Sequence, residues 1–269
     1  MKKKENQTAE RKERKPTLKN LLNEAIKDFD ETSIHLFRRE IKKLRATMRL
    51  IQSVDKSFGY KKKYSLIRPL FQDLGAVRET QLQEQKLNEV GKILKPGFTR
   101  KYHRLLDEEL TERENTALKY SDHSVIKAFK KVEKQVKQAV KNLKHNDFKK
   151  YFKARILKLK KSFDAFDFTE NQMHAVRGLI KEIKFNTRFK QKMVEKWLAK
   201  RGLDLALLDD LQNWLGEWHD SLVFKQKLMQ QEGALLLQNG ENEALMQFKS
   251  SVEVDCIVVK DKIKKALGV

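Results

Sequence analysis

The stretch HLFRREIKKLRATMR, His35 to Arg49, returns as HAVRGLIKEIKFNTR, His174 to Arg188, and this pair decides the fold. In the first copy His35, Arg38, Lys42, Arg45 and Arg49 follow at spacings of three, four, three and four. His174, Arg177, Lys181, Lys184 and Arg188 repeat that pattern. At roughly 100° per residue, five such positions cover an arc of about 80° on an α-helix. Each stretch therefore predicts a helix with a histidine-led cationic stripe. Beside the stripe run Ile34, Phe37, Ile41, Leu44, Met48 and Ile51 in one copy, and Met173, Val176, Ile180 and Ile183 in the other. Apolar faces of this kind pack into a core. The cations then lie at the margin of the core and not on the opposite, solvated side.

Around these stretches the chain holds few breakers. Three prolines and ten glycines among 269 residues are too few for a strand-and-turn protein, and the expected class is all-α. The length suffices for a sizeable core. A formal charge of +22 favours polyanionic partners: nucleic acid, an acidic membrane surface or inorganic polyphosphate. Cys256 is the only cysteine, which excludes an intrachain disulfide and a Cys-rich metal site. A run of about eighteen apolar residues, the length of a membrane span, is missing, and so is a signal-peptide core. A cytoplasmic protein without membrane insertion is expected.

Residues 1–16 lack hydrophobic periodicity, end at Pro16 and read as a flexible basic tail. The remainder, 17–269, reads as one helical domain: repeat one over about 17–120, a joining helix over about 121–145, and repeat two over about 146–269. Asp30 or Thr32 is expected to cap the first striped helix, which runs to about Val54. Gly59 and Lys61 to Lys63 mark a turn, and Pro69 imposes a kink or a delayed start on the next helix. Phe98 to Lys119 reads as amphipathic helix. The joining helix carries the seam Val125, Phe129, Val132, Val136, Val140 and Leu143. Asp147 to Phe166, dense in lysine, is a further helix. Thr169 heads the second striped helix, expected to continue to about Leu198. Asp204 caps a helix whose Trp214 and Trp218 read as core, and Glu241 to Leu267 forms the last, ended by Gly268.

The repetition extends beyond the stripes. LGAVRET, Leu74 to Thr80, is echoed by LGEWHDS, Leu215 to Ser221, each about 40 residues after its leading histidine. Duplication at this length points to a pair of helical bundles and not to a solenoid of shorter repeats.

In these motifs the chain resembles the CHAD domain family, the conserved histidine α-helical domain. That family has a duplicated H-x2-R-x3-[RK]-x2-[RK] helix and an LGxxRD-like motif later in each half. The resemblance covers roughly residues 17 to 267. It implies two four-helix bundles about a pseudo-two-fold axis, with a central basic groove that binds inorganic polyphosphate. It also implies the binding residues: His35, Arg38, Arg39, Lys42, Arg45, Arg49 and Arg78 from the first half, and His174, Arg177, Lys181, Lys184, Arg188 and His219 from the second. Glu79 stands where the family has aspartate. Gly178 and Glu182 stand where the first copy has Arg39 and Lys43, so the second stripe is narrower.

Rival chemistries leave weaker traces. Glu31 lies one turn before His35, and Glu170 one turn before His174, so two Glu/His pairs could hold a metal. First-turn glutamates are, however, favoured by the helix dipole alone, and a dense set of cations opposes a metal. The histidines are expected to serve as phosphate donors kept partly protonated. A nucleic-acid role, with RNA or single-stranded DNA, is the alternative to polyphosphate. Single-strand binders interleave aromatics with their cations, and none of the ten stripe positions is aromatic. Neither a paired nucleophile and base, nor a phosphate-cradling glycine loop, nor an acidic Mg²⁺ site is visible. The expectation is a binding module without enzymatic activity or cofactor.

Overall fold

The computed structural model describes residues 17–90, 96–121, 123–167, 169–231 and 241–267. In chain order the first helices are α1 (Leu18–Lys27), α2 (Glu31–Val54), α3 (Tyr60–Ser65), α4 (Arg68–Val90), α5 (Pro96–Leu118) and α6 (His123–Lys141). They are followed by α7 (His145–Asp164), α8 (Glu170–Thr187), α9 (Gln191–Ala199), α10 (Leu205–Gln231) and α11 (Glu241–Leu267). Among the described residues there is no strand, and the fold is all-α. The expected basic tail and the end of the last helix at Gly268 lie outside the described residues.

The striped helices begin where the sequence offers side-chain acceptors for free backbone donors. Asp30 Oδ2 accepts the Ser33 N–H at 2.8 Å, and Thr169 Oγ1 accepts the Gln172 N–H at 3.4 Å. Hydrogen bonding to Ser33 holds the Asp30 carboxyl below the usual range. After α2 the chain turns through Gly59, whose φ of 71° suits a residue without Cβ. Lys61 to Lys63 fall within α3 and not in the turn. Pro69 sits in the first turn of α4, where its missing N–H has no helical partner to lose, so it delays the helix without kinking it.

One boundary departs from expectation. The second striped helix does not reach Leu198: α8 stops at Thr187, and α9 resumes at Gln191. Phe189 and Lys190 donate to the carbonyls of Asn186 and Thr187 at 3.0 Å each, closing a tight last turn. The turn brings the Phe189 ring to 5.9 Å from that of Phe148. No Gly or Pro marks the break, because packing produces it.

Three apolar clusters hold the helices together. The first gathers α1, α2, the start of α4 and the α6 seam around Ile34, Phe37, Leu74, Phe129 and Val132. The second gathers α7, α8, α9, the start of α10 and the end of α11 around Phe152, Ile180, Leu198 and Trp218. Leu50 of α2 belongs to this second cluster, so the first striped helix reaches into the other half. The third lies between the hairpins α4–α5 and α10–α11, where Leu87, Phe98 and Tyr102 meet Phe224, Leu228 and Phe248. All the apolar residues expected beside the two stripes are buried.

Candidate functional site

The basic stripes meet where α2 packs on α8. A groove of about 710 Å³ opens there, and Lys42, Arg45, Arg49, His174 and Lys181 of the predicted set line it. Seven of its lining side chains are lysine or arginine, and one, Glu182, is acidic. Gly178, where the first copy has Arg39, leaves the groove open: a Cβ there would meet nothing within 4 Å.

Lys42 and Lys181 are the centre of this arrangement. They hold corresponding places in the two stripes, and each feels the guanidiniums of Arg38 and Arg177. Burial first, and then the neighbouring cations, pushes Lys42 down to about 8 and Lys181 down to about 7. Neither ammonium has a hydrogen bond or ion pair among the described residues. Asp220 offsets part of the charge from 4.0 Å away from Arg177 Nη2, and its side chain is 55% exposed.

The remaining predicted residues do not line the groove, and each has its own surroundings. Arg38 donates from Nη1 to the Phe71 carbonyl at 2.5 Å and packs its guanidinium over the Phe71 ring. Its head group lies where a Cβ at Gly75 would be, so the glycine in LGAVRET lets the guanidinium keep this position; a side chain there would displace it. Arg78 of the same motif pairs with Glu31. Glu31 also accepts from Gln85, so the carboxylate of the Glu31/His35 pair weighed for a metal is committed to neighbours in α4. Among the described residues no group of three or more metal-binding side chains comes together.

The second motif behaves differently. A Cβ at Gly216 would meet nothing within 4 Å, and His219 takes the place of Arg78. The His219 ring lies 5.2 Å from that of His174, and its Nδ1 is buried without a partner, as is Arg177 Nε. Burial, followed by Arg177 and its neighbours, pushes His219 down to about 3. His35 is also lowered, by burial and then by Lys42, Arg78, Arg39 and Arg38. Burial first, and then the surrounding cations, therefore favours the neutral form of both rings in the free protein.

Lys184 is engaged by Asp209, Arg188 donates to Thr47 Oγ1 at 2.9 Å, and Arg39 is exposed 4.0 Å from Glu40. None of these three lines the groove. Conversely, sequence reasoning passed over Arg155, Lys158 and Ser162 of α7, which do line it. Their spacing of three and four within a lysine-dense helix was the available signal. Tyr60 was also missed; it stacks on Tyr64 at 5.8 Å, while Arg45 lies over the Tyr64 ring.

The described helices define an all-helical fold with a groove rich in lysine and arginine between α2 and α8, and the comparisons with known proteins agree with the fold. The chain belongs to the CHAD domain family, whose sequence model matches residues 14–229. Its fold is similar to the crystal structure of the CHAD domain from the plant Ricinus communis, with a TM-score of 0.69 and 16% sequence identity. That likeness covers 94% of this chain and 89% of the plant chain. Among curated proteins none matches. Among the described residues no helix is long and apolar enough to cross a membrane.

Proposed function

We propose that this chain is a binding module for inorganic polyphosphate, held in the groove between α2 and α8, with no catalytic step. The observation that carries the reading is the pair Lys42 and Lys181, half-buried beside Arg38 and Arg177 without an acceptor among the described residues. Such a cluster is self-repelling and gains stability when an anion enters. The orphaned Arg177 Nε beside it wants an acceptor as well, and His219 Nδ1 a partner. Arginine forks and lysine point charges both suit phosphate oxygens.

Polyphosphate fits better than a nucleic acid because the groove offers little to a base. Its aromatic side chains are Tyr60 and Phe185. Tyr60 is already stacked on Tyr64 and lies 5.9 Å from the Arg49 guanidinium. Stacking platforms for single strands need an open aromatic face. A competition titration of long-chain polyphosphate against single-stranded DNA and RNA tests the reading. Polyphosphate should displace both at equal phosphate concentration; displacement in the reverse direction would identify the groove as a nucleic-acid site.

A further inference from the structure

The groove has a second bank that the striped helices do not supply. Arg155, Lys158 and Ser162 line it from α7, and Lys56 lines it from just past the end of α2. The roll of α7 is set by Tyr151, Phe152, Ile156, Leu159 and Phe163, all buried in the second cluster. Its basic face is thus fixed toward the groove. From Arg155 to Ser162 the bank runs about 10 Å along the helix.

Glu182 organises the near end of this bank. It takes a hydrogen bond from the Tyr151 hydroxyl at 2.9 Å and ion pairs from Arg155 Nε at 2.9 Å and Arg49 Nη1 at 3.5 Å. One buried carboxylate therefore holds a guanidinium from each side of the groove. Lys56 and Lys158 are exposed and have no ion pair among the described residues. Three other basic side chains are differently placed: Arg78 is taken by Glu31, Lys184 by Asp209 and Lys43 by Glu40. An anion at Lys42 and Lys181 meets unclaimed charge in the direction of α7.

We propose that Arg155, Lys158 and Lys56 are additional polyanion-binding residues, and that a bound phosphate chain leaves the central lysines along this bank. The proposal rests on the polyphosphate reading and adds to it a path formed by residues outside both stripes. A chain long enough to reach the bank gains contacts that a short one lacks, by effective concentration.

The test compares two double charge reversals in the 269-residue chain, Lys56→Glu with Lys158→Glu, and Lys130→Glu with Lys134→Glu on the exposed side of α6. Both pairs change the net charge equally and replace only exposed residues. Calorimetry with long-chain polyphosphate at physiological salt should show a loss of about tenfold or more for the first pair. The second should lose less than about threefold, since screening acts over about 8 Å. Tripolyphosphate, held at the central lysines, should bind the first pair nearly as well as wild type. Lys56→Gln with Lys158→Gln, which removes charge without reversing it, should give a smaller loss of the same kind. Equal losses in the two reversed pairs, or no loss in the first, would overturn the path while leaving the polyphosphate reading intact. Wild-type protein that binds no polyphosphate would overturn both.

Discussion

Thr47 and Asn186 stand 139 residues apart, hold the same place in the two striped helices, and touch, with Oγ1 of one 3.4 Å from Oδ1 of the other. The Asn186 amide also donates to the Ala46 carbonyl at 3.0 Å and to the Tyr151 hydroxyl at 2.8 Å. Arg188 completes the group by donating to Thr47 Oγ1 at 2.9 Å. Polar bonds therefore fix how α2 and α8 meet, and with it the width of the groove. A satisfied buried network of this kind selects one arrangement over its neighbours.

Asn186→Leu should accordingly cost about 1–3 kcal/mol, because it strips the Tyr151 hydroxyl of a donor at a site without water access. Thr47→Val should cost less, since the Lys43 carbonyl it leaves keeps its helical N–H partner and the exposed Arg188 guanidinium can turn to water. Urea denaturation of both variants checks the order. A silent Asn186→Leu would mean that apolar packing alone sets the helix pair.

Anion binding should take up protons at lysine. Lys181 near 7 and Lys42 near 8 are part-neutral around physiological pH, and a bound phosphate chain restores their charge. Affinity should therefore fall as pH rises through that range, and calorimetry in buffers of different ionisation enthalpy should register proton uptake. The stability of the anion-free protein runs the other way. Both lysines titrate lower when folded than when unfolded, so stability rises with pH between about 7 and the ordinary lysine value of about 10.4. Lys181→Met should flatten both profiles; unchanged profiles would assign the protons elsewhere.

The two motif glycines should respond in opposite senses. Gly75→Ala places a methyl group against the Arg38 guanidinium, displacing it from the Phe71 carbonyl, and should lower both stability and polyphosphate affinity. Gly216→Ala enters open space inside a helix and should gain about 0.5–1 kcal/mol from reduced backbone entropy. Thermal melts of the two variants side by side decide this.

Removing the charge of Glu182 separates stability from binding. Glu182→Gln weakens the hold on Arg49 and Arg155, and a loss of about 1–3 kcal/mol is expected because those arginines keep partial solvent access. Polyphosphate affinity should rise severalfold at low salt, since the groove gains one net positive charge. If affinity drops instead, the main part played by Glu182 is to orient the guanidiniums.

Charge reversal within the stripes should be unequal. Arg45→Glu acts on a groove-lining residue and should weaken long-chain binding strongly, with a shallower salt dependence. Lys184→Glu acts on a side chain engaged by Asp209 outside the groove and should do much less. Equal effects in a salt titration would show that the general field, and not the groove, governs affinity.

Much of this molecule is written in local patterns. Asp30 and Thr169 announce the starts of α2 and α8, and the three-and-four spacing of cations places each stripe beside an apolar face. Capping and helical periodicity act within a few residues, so a sequence determines them by itself. The basic groove residues Lys42 and Lys181 belong to that legible set. What the sequence left open is which cations face one another once the helices pack. Lys184 and Arg49 occupy equally good stripe positions, yet one pairs with Asp209 and the other reaches across the groove to Glu182. Arg155 and Lys158 join the site because Phe152 and Ile156 turn α7 toward it. The break after Thr187 and the third cluster between the hairpins likewise depend on partners far along the chain. Contacts of that kind are set by the relative rotation and approach of whole helices, which no local spacing encodes and only the tertiary structure decides.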